Sequence, residues 1–271
     1  MSSQLDSAGM RTTVAGLAAL QAGDAASPAV LLVPGYTGSK EDFAPIVEPL
    51  AAAGFFVTAI DLPGQFESPG PSSPDGYTTT ALASPVCAVA RSLGGSVHVL
   101  GHSFGGLVAR AAVIAEPELF ASIVLLSSGP AGLGGARRAQ IEMLEPVLAT
   151  AGLDAVYAGI QAVNRAEPGY VEPPPELADF YERRFLTSSA AGLQGMGVAV
   201  RDEPDRVAEL AATGVRSLVT CGEDDDAWPP DLQRAMAARL GAPFVLIPDA
   251  AHSAATENPT ALTAELVSFW R

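Results

Sequence analysis

Short continuous apolar runs alternate with helical patterns along most of this chain, and that alternation constrains its fold more than any other feature. The first three apolar runs are Ala29–Val33, Phe55–Ile60 and Ser96–Leu100, and helix-type patterns separate them. A continuous apolar run is typical of a strand that is buried on both faces. Strands that alternate with helices join through right-handed crossovers into a parallel sheet with helices on both faces. We therefore predict an α/β fold with a mostly parallel, doubly wound sheet.

The alternation stops after Ala121–Leu126 and resumes only near residue 204. An ordinary crossover needs about a dozen residues, and the intervening stretch is several times longer, with helical patterns and no strand-like run. Insertions at the carboxyl ends of strands lie over the ligand crevice in such folds. We expect residues 130–200 to form a helical lid over a core made of residues 1–129 and 201–271. An insertion without substrate contact is the alternative interpretation.

The charge balance argues against two classes of partner. The 271 residues include 30 acidic and 15 basic side chains, for a formal net charge of −15. Such a surface repels phosphate backbones and anionic lipid, so we expect no nucleic-acid partner and no membrane partner. No apolar stretch approaches the ~18 residues that a bilayer-spanning helix needs, and no signal peptide is indicated. We expect a cytoplasmic protein with a small-molecule substrate, while its oligomeric state stays open.

The segment from Gly101 to Gly106 lies between a predicted strand and a predicted helix, and reads Gly-His-Ser-Phe-Gly-Gly. In that context the pattern Gly-x-Ser-x-Gly is typical of a sharp turn that presents a nucleophilic serine. Small residues two positions before and after Ser103 let the chain pass itself without a Cβ clash. The following helix points N–H groups at the same spot, which suits a developing oxyanion. Ser103 is therefore a candidate nucleophile, a chance match being the alternative.

A serine hydroxyl needs a base to accept its proton, and the chain has three histidines. His98 lies inside a predicted strand and His102 on the tight turn, so we interpret them as packing and scaffolding residues. His252 follows the last predicted strand, in a loop at the same edge of the sheet as Ser103. His252 is the candidate base.

An imidazole base needs a carboxylate to orient it. Four consecutive acidic residues, Glu223 to Asp226, follow the predicted strand Val215–Thr220. A metal site is one interpretation, but no second oxygen-rich loop stands at a matching spacing, and Cys87 and Cys221 do not form a paired-cysteine motif. We favour one buried carboxylate that partners His252 while the other three face solvent, and we expect no metal and no cofactor.

With the order serine, acid, histidine, the chain resembles the α/β-hydrolase superfamily, and it is most similar to lid-bearing esterase and peptidase-like members. The resemblance covers roughly residues 29–126 and 204–271. In the family's acid loop a glycine stands three residues before the catalytic Asp and a proline four residues after it. Gly222 and Pro229 fit that register around Asp225, so the resemblance implies Asp225 as the triad acid rather than Asp224 or Asp226.

The resemblance also implies an oxyanion loop, here Pro34-Gly35-Tyr36, in which the family's usual histidine is missing. The donors in that loop are backbone N–H groups, so the implied pair is Tyr36 and Phe104. In the loop Asp61–Ser68, Phe66 replaces a glycine of the family pattern. The residues expected at the substrate pocket are Gln65, Phe66 and Trp228.

These residues predict a serine hydrolase that cleaves an ester-like bond of a small to medium, largely apolar substrate through an acyl-enzyme. Acyl transfer to another acceptor, or cleavage of a carbon–carbon or amide bond, is compatible with the same triad. A ligand-binding protein that has lost its chemistry on this fold is the alternative from another class.

Overall fold

Eight strands form one sheet in the computed structural model, which describes residues 4–5, 9–166 and 169–271. In chain order the strands are β1 (Met10–Val14), β2 (Leu17–Ala22), β3 (Ala29–Val33), β4 (Phe56–Ile60), β5 (Val97–His102), β6 (Phe120–Leu126), β7 (Arg216–Gly222) and β8 (Phe244–Ile247). Their spatial order is β1-β2-β4-β3-β5-β6-β7-β8. β1, β2 and β4 pair antiparallel, and all remaining neighbours pair parallel. The predicted fold class is confirmed.

Ten α-helices accompany the sheet within the described residues. They are α1 (Ala44–Ala52), α2 (Thr79–Ser92), α3 (Phe104–Ala115), α4 (Gly135–Ala166), α5 (Pro175–Thr187), α6 (Ala190–Asp202), α7 (Val207–Ala212), α8 (Pro230–Leu240), α9 (Ala254–Glu257) and α10 (Pro259–Trp270). Local signals explain several bounds. The Asn258 side chain accepts a hydrogen bond from the N–H of Ala261 at the start of α10, and Gly241 ends α8 in the left-handed conformation.

Two apolar cores lie on opposite faces of the sheet. One core joins α2, α3, α7 and α8 to the sheet, and it includes Val99, Leu107 and Val219. The other joins α1 and α10 to the sheet, and it includes Leu100 and Leu262. Alternate residues of β5 enter opposite cores, because successive side chains of a strand point to opposite faces. This two-sided burial explains why the central strands read as continuous apolar runs.

The helices α4, α5 and α6 follow one another between β6 and α7, and we call them the helical insertion. α4 is interrupted at Gly152, whose φ of 78° and ψ of −171° are not helical. Its inner side packs through Val156 against Phe185 of α5 and Leu193 of α6. The sequence has one helical pattern over Ala139–Ala151 and another over Leu153–Val163, and the break at Gly152 lies between them.

α4 corrects the expectation that no apolar stretch approaches the length of a membrane span. An 18-residue window of this helix reaches a mean hydropathy of 1.2 with no more than two charged residues, which satisfies the length and composition of a span. The non-helical backbone at Gly152 interrupts that helix. A single helix of this kind is weak support for a membrane location, because the length and apolar composition of a span also occur in core helices of soluble proteins and in signal sequences.

Candidate active site

Ser103 occupies the sharp turn between β5 and α3. Its φ of 55° and ψ of −122° lie in a region that non-glycine residues rarely adopt, and the side chain is 8% exposed. The N–H of Ser103 donates to the carbonyl oxygen of Leu126 on the neighbouring strand, at 2.9 Å. Strained backbone of this kind persists only where the surrounding structure fixes it, and it concentrates at functional sites.

Two glycines make the turn possible. A Cβ added at Gly101 would lie 2.3 Å from the carbonyl oxygen of Gly105, and one added at Gly105 would lie 2.3 Å from that of Val33. Both distances are far below van der Waals contact. The spacing Gly-x-Ser-x-Gly therefore has a steric cause in this chain.

The His252 side chain lies within hydrogen-bonding distance of the other two residues predicted as a triad, Ser103 and Asp225. Nε2 of His252 is 3.0 Å from Oγ of Ser103, and Nδ1 of His252 is 2.9 Å from Oδ1 of Asp225. Carboxylate oxygens only accept, so Nδ1 carries the proton and Nε2 presents its lone pair to the serine hydroxyl. The structure thus joins three residues that are separated by up to 149 positions in sequence.

Asp225 is the buried member of the acidic loop, and its three acidic neighbours are exposed. Burial alone would raise the pKa of its carboxyl group, but hydrogen bonds from His252, Gln233 and the N–H of Ala227 hold that pKa below its ordinary value. Asp225 is therefore ionised at neutral pH. Asp226 instead forms a two-pronged ion pair with Arg137 at the start of α4.

Gln233 is a residue of this site that the sequence analysis missed. Its side chain is fully buried, and Nε2 donates to Oδ2 of Asp225 at 2.8 Å and to the carbonyl oxygen of Trp228 at 2.6 Å. A signal for it exists in the sequence, because Gln233 shares the buried face of α8 with Met236 and Ala237. A polar residue on an apolar helix face indicates a buried hydrogen-bond partner.

Residues 34–36, which the resemblance predicts to bind the oxyanion and which we call the oxyanion loop, lie directly beside Ser103. A Cβ added at Gly35 would be 3.3 Å from Cβ of Ser103 and 3.4 Å from Nδ1 of His102. Within the part of the chain that the structure describes, the N–H groups of Tyr36 and Phe104 donate to no protein acceptor. The Tyr36 side chain reaches the helical insertion, where its hydroxyl donates to the carbonyl oxygen of Leu193 in α6 at 2.7 Å.

His102 has a definite structural role next to the serine. Its Nε2 is 2.8 Å from the carbonyl oxygen of His252, and since a carbonyl only accepts, Nε2 carries the proton. Burial, reinforced by the neighbouring His252, lowers the pKa of His102 to about 4. A neutral His102 therefore ties the histidine loop to the turn. His98, interpreted as a packing residue, stacks on Trp270 and contacts Oγ of Ser122 at 2.8 Å.

A cavity of about 440 Å³ lies over Ser103 and His252, between the sheet edge and the helical insertion. Its apolar wall is formed mainly by Ile141, Leu144, Leu148, Val156, Phe185 and Leu193. Five carboxamide side chains of the described residues also line it: Gln4, Gln140, Gln161, Asn164 and Gln194. The charged groups at its surface are paired, as in the ion pairs of Arg184 with Asp42 and of Glu145 with Arg201. The cavity thus combines apolar surface with neutral hydrogen-bonding groups.

The three residues expected at the substrate pocket do not line this cavity, and that expectation is corrected. Gln65 is buried behind the oxyanion loop, where its amide donates to backbone carbonyl groups. Phe66 has a φ of 37°, and its ring packs edge to face on Phe180 of α5, with centroids 5.8 Å apart. It therefore joins the core to the helical insertion.

Trp228 does not line the cavity, and it packs against residues 129–131, which precede the helical insertion. It is 1% exposed, and its Nε1 donates to the carbonyl oxygen of Ala131 at 3.1 Å. A Cβ at Gly129 would lie 2.0 Å from Cδ1 of the indole, so the ring needs glycine there. The neighbouring Ala227 contributes to the cavity wall in its place.

Comparisons with known proteins agree with this architecture. In sequence, the chain is 31% identical over 247 residues to the dihydrolipoyllysine-residue acetyltransferase component of the acetoin cleaving system of Cupriavidus necator. The match covers 84% of this chain but only 60% of that relative's length. The chain is also 28% identical to 2-succinyl-6-hydroxy-2,4-cyclohexadiene-1-carboxylate synthase of Escherichia coli O1:K1, over 90% of this chain and 94% of the synthase.

A solved structure from a study of carboxylesterases of Nitrososphaera gargenis shares the fold, with a TM-score of 0.79 and 20% identity, over 97% of both chains. The family model described as the alpha/beta hydrolase family matches residues 30–266, which is most of the chain. The serine turn, the sheet order and this match agree, and the chain belongs to the alpha/beta hydrolase family.

Proposed function

We propose that this protein is a serine hydrolase that cleaves an ester-like bond through an acyl-enzyme. The observation that carries the proposal is the continuous hydrogen-bonded series Asp225–His252–Ser103 at the floor of a cavity. A serine hydroxyl becomes an effective nucleophile when an oriented base accepts its proton, and this arrangement supplies both base and orientation. The strained backbone of Ser103 supports the proposal, since it holds the hydroxyl at the open end of the turn.

The first half of the proposed reaction forms the acyl-enzyme. Oγ of Ser103 attacks the carbonyl carbon as its proton moves to Nε2 of His252, and the carbonyl oxygen becomes an oxyanion. The free N–H groups of Tyr36 and Phe104 donate to that oxyanion, with the N-terminus of α3 behind it. His252 then gives its proton to the leaving alcohol, and the carbon–oxygen bond breaks. Asp225 stabilises the imidazolium while it exists.

The second half releases the acid. A water molecule replaces the alcohol, His252 accepts a proton from it, and the resulting hydroxide attacks the acyl carbon through a second oxyanion. Collapse of that intermediate returns the proton from His252 to Oγ of Ser103. The enzyme returns to its starting state, so no cofactor is consumed.

We propose a neutral substrate with a small to medium apolar acyl or alcohol part. The apolar wall of the cavity, from Ile141 to Leu193, supports this size and polarity. The charged groups that line the cavity already have ionic partners, so a charged substrate would need to displace one of them. The helical insertion supplies most of this wall, and we propose that it acts as the lid of the site.

The test is covalent labelling combined with substitution. A fluorophosphonate probe is expected to label the wild-type protein at Ser103, and Ser103→Ala is expected to abolish both labelling and hydrolysis of p-nitrophenyl butyrate. Ser92→Ala is the matched control, because that hydroxyl lies at the end of α2 and donates to the carbonyl oxygen of Val89. Hydrolysis by Ser103→Ala at the parent rate would refute the proposal. Absence of labelling in the wild type would favour a ligand-binding protein instead.

Transfer to an acceptor other than water, or cleavage of a carbon–carbon or amide bond, is the second candidate function. The two relatives named above support keeping it, because one is named a synthase and the other an acetyltransferase component. Product analysis with ester, thioester and amide substrates, with and without added alcohol or thiol acceptors, separates these reactions. A wild-type protein that labels at Ser103 yet releases no free acid from any ester would favour the second candidate.

A further inference from the structure

We propose that Gln65 is the residue that positions the oxyanion-binding N–H of Tyr36, an inference that rests on the proposed function. Gln65 is 3% exposed, contacts the oxyanion loop and does not line the cavity over Ser103. Its Nε2 donates to the carbonyl oxygen of Gly35 at 2.6 Å and to that of Tyr36 at 3.1 Å. One carboxamide therefore binds two successive peptide groups of the loop that contains the proposed donor.

The orientation of the Gln65 amide follows from its partners. The N–H of Leu62 points at Oε1, 3.0 Å away, and an N–H group only donates. The opposite end faces two carbonyl oxygens, which only accept. Exchanging oxygen and nitrogen would lose every one of these hydrogen bonds, so the N–H of Leu62 and the carbonyl oxygen of Tyr36 would lose this partner.

The geometry of the peptide bond transfers this constraint to the active site. The carbonyl of Gly35 and the N–H of Tyr36 belong to the same peptide group, which is planar and trans. In a trans peptide the C=O and N–H bonds point in opposite directions. Because Gln65 holds the carbonyl oxygen of Gly35 on the inner side, the N–H of Tyr36 points the other way, toward the space beside Ser103. The N–H of Gly38 donates to the same carbonyl oxygen at 3.1 Å and adds to this effect.

Gln65 is itself held in a rigid turn. Its backbone N–H donates to the carbonyl oxygen of Leu62 at 2.9 Å, and its carbonyl oxygen accepts from the N–H of Ser68 at 2.8 Å. Asp61, at the start of the turn, accepts from the backbone N–H and from Nζ of Lys40, the single lysine of the chain. The turn therefore lies between the sheet and the oxyanion loop with little freedom to move, as a group that aims a catalytic dipole requires.

The experiment compares Gln65→Leu with the wild type for catalysis and for binding of a transition-state analogue. Leucine has a similar volume but no donor, so the carbonyl oxygen of Gly35 keeps only the hydrogen bond from the N–H of Gly38. We expect kcat to fall by about 10- to 100-fold with KM nearly unchanged, which is less than the 10²- to 10³-fold expected for removing an oxyanion donor. The Ki of an arylboronic acid is expected to rise by the same factor as kcat/KM falls, because its tetrahedral adduct with Ser103 presents an anionic oxygen to the Tyr36 N–H.

Gln65→Glu adds a readout that a merely structural role would not produce. A carboxyl group in this place faces two carbonyl oxygens, which favours its protonated, hydrogen-bond-donating form. We expect Gln65→Glu to keep substantial activity while protonated and to lose kcat as pH rises, an alkaline limb absent from the wild-type profile. The same rise in pH is expected to weaken boronate binding in Gln65→Glu more than in the wild type. If Gln65→Leu fails to fold, the kcat–pH profile of Gln65→Glu is the test of the positioning role, and a profile identical to that of the wild type would contradict it.

Gln21→Leu is the matched control, because Gln21 also donates a side-chain hydrogen bond, to Oγ1 of Thr58 at 2.9 Å, but on β2, where it takes no part in the site. It is expected to keep wild-type kcat and boronate affinity. If the wild type labels at Ser103 and hydrolyses esters while Gln65→Leu retains wild-type boronate affinity, the positioning role is wrong and the proposed function stands. A wild type without labelling or activity would instead overturn the proposed function.

Discussion

Gly222 and Ala251 lie backbone against backbone, so closely that a Cβ at Gly222 would be 2.1 Å from the carbonyl oxygen of Ala251. Gly222 ends β7, three residues before Asp225, and Ala251 directly precedes His252. The acid loop and the histidine loop therefore come together at a point where only glycine fits. This contact explains how Asp225 and His252 come within 2.9 Å of each other.

Gly222→Ala is expected to separate the two loops. Its methyl group must push the carbonyl groups of residues 250 and 251 away, and overpacking of this kind costs about 1–3 kcal/mol of stability. A displacement of about 1 Å in catalytic geometry can cost about 10²-fold in rate, so we expect kcat/KM for an ester to fall by about that factor. Ester kinetics and thermal unfolding measure the two effects. Gly134→Ala, where a Cβ would meet nothing within 4 Å, is the control expected to keep both values.

Substitutions in the acidic loop should distinguish Asp225 from its neighbours. Asp225→Asn replaces an acceptor of the His252 proton by an amide that can hold the wrong tautomer, and we expect kcat to fall by about three to four orders of magnitude. Asp224→Asn, which alters an exposed side chain, is expected to change kcat by less than about twofold. Steady-state kinetics on one ester at several pH values checks both. A large loss of kcat in Asp224→Asn together with an active Asp225→Asn would show that Asp225 is not the triad acid.

The fold was predictable because its signals are local. Continuous apolar runs, such as that of β3, predicted strands buried on both faces, and the helix breaks at Gly152 and Gly241 follow from single residues. The helical insertion was predictable for a simpler reason, since the chain between β6 and α7 is too long for a crossover. The 18-residue apolar window of α4 was missed, because charged residues near the start of the helix and Pro146 interrupt the apolar residues, so that no continuous apolar run stands in the sequence.

The positions of the candidate triad residues were predictable where chemistry and spacing coincide, whereas the positions of side chains with partners distant in sequence were not. The serine turn has a steric pattern, and the strand ends bring Asp225 and His252 to the same edge of the sheet. Gln65 was expected at the pocket because its neighbour Phe66 replaces a glycine of the family pattern. The carbonyl groups to which its amide donates belong instead to a different loop, 29 and 30 residues away. Nothing in the sequence indicates that Trp228 turns under Gly129, because that packing depends on the path of the insertion.

The buried side chain of Arg110 contacts the chain on both sides of the helical insertion. It is 1% exposed, and it donates to the carbonyl oxygen of Pro130 at 2.6 Å and to Oε1 of Glu203 at 3.2 Å. Arg110→Met leaves Glu203 buried without its cation, and breaking a buried pair costs about 3–5 kcal/mol. Urea unfolding is expected to show a loss of that order. Arg91→Met, which breaks an exposed ion pair with Glu116, is the control, with an expected loss below about 1 kcal/mol.

The double variant of Arg110→Met with Glu203→Gln tests whether the loss comes from the unpaired charge. Removing both charges is expected to recover part of the stability, so the two substitutions should be non-additive by more than about 1 kcal/mol. Additive losses would show that Arg110 acts through its packing and its carbonyl contacts alone. The same unfolding measurements give this result without further assays.

His102 should make the stability of the protein depend on pH below neutrality. Its pKa is lowered to about 4 in the folded state, whereas an unfolded histidine titrates near its ordinary value of 6.5. Between these two values the unfolded chain binds more protons, so the free energy of unfolding is full above about pH 6.5 and falls as pH drops toward 4. This lowering of the His102 pKa corresponds to a loss on the order of 3 kcal/mol in the free energy of unfolding.

His102→Gln is expected to flatten this dependence. Its amide keeps a donor near the carbonyl oxygen of His252 but has no titratable nitrogen, so the loss between pH 6.5 and 4 should shrink by an amount on the order of 3 kcal/mol. Urea unfolding at intervals across this range, followed by intrinsic fluorescence, gives the two slopes. Ser92→Ala, which leaves His102 in place, is expected to follow the wild-type slope. Parallel curves for the wild type and His102→Gln would mean that His102 titrates alike in the folded and unfolded states.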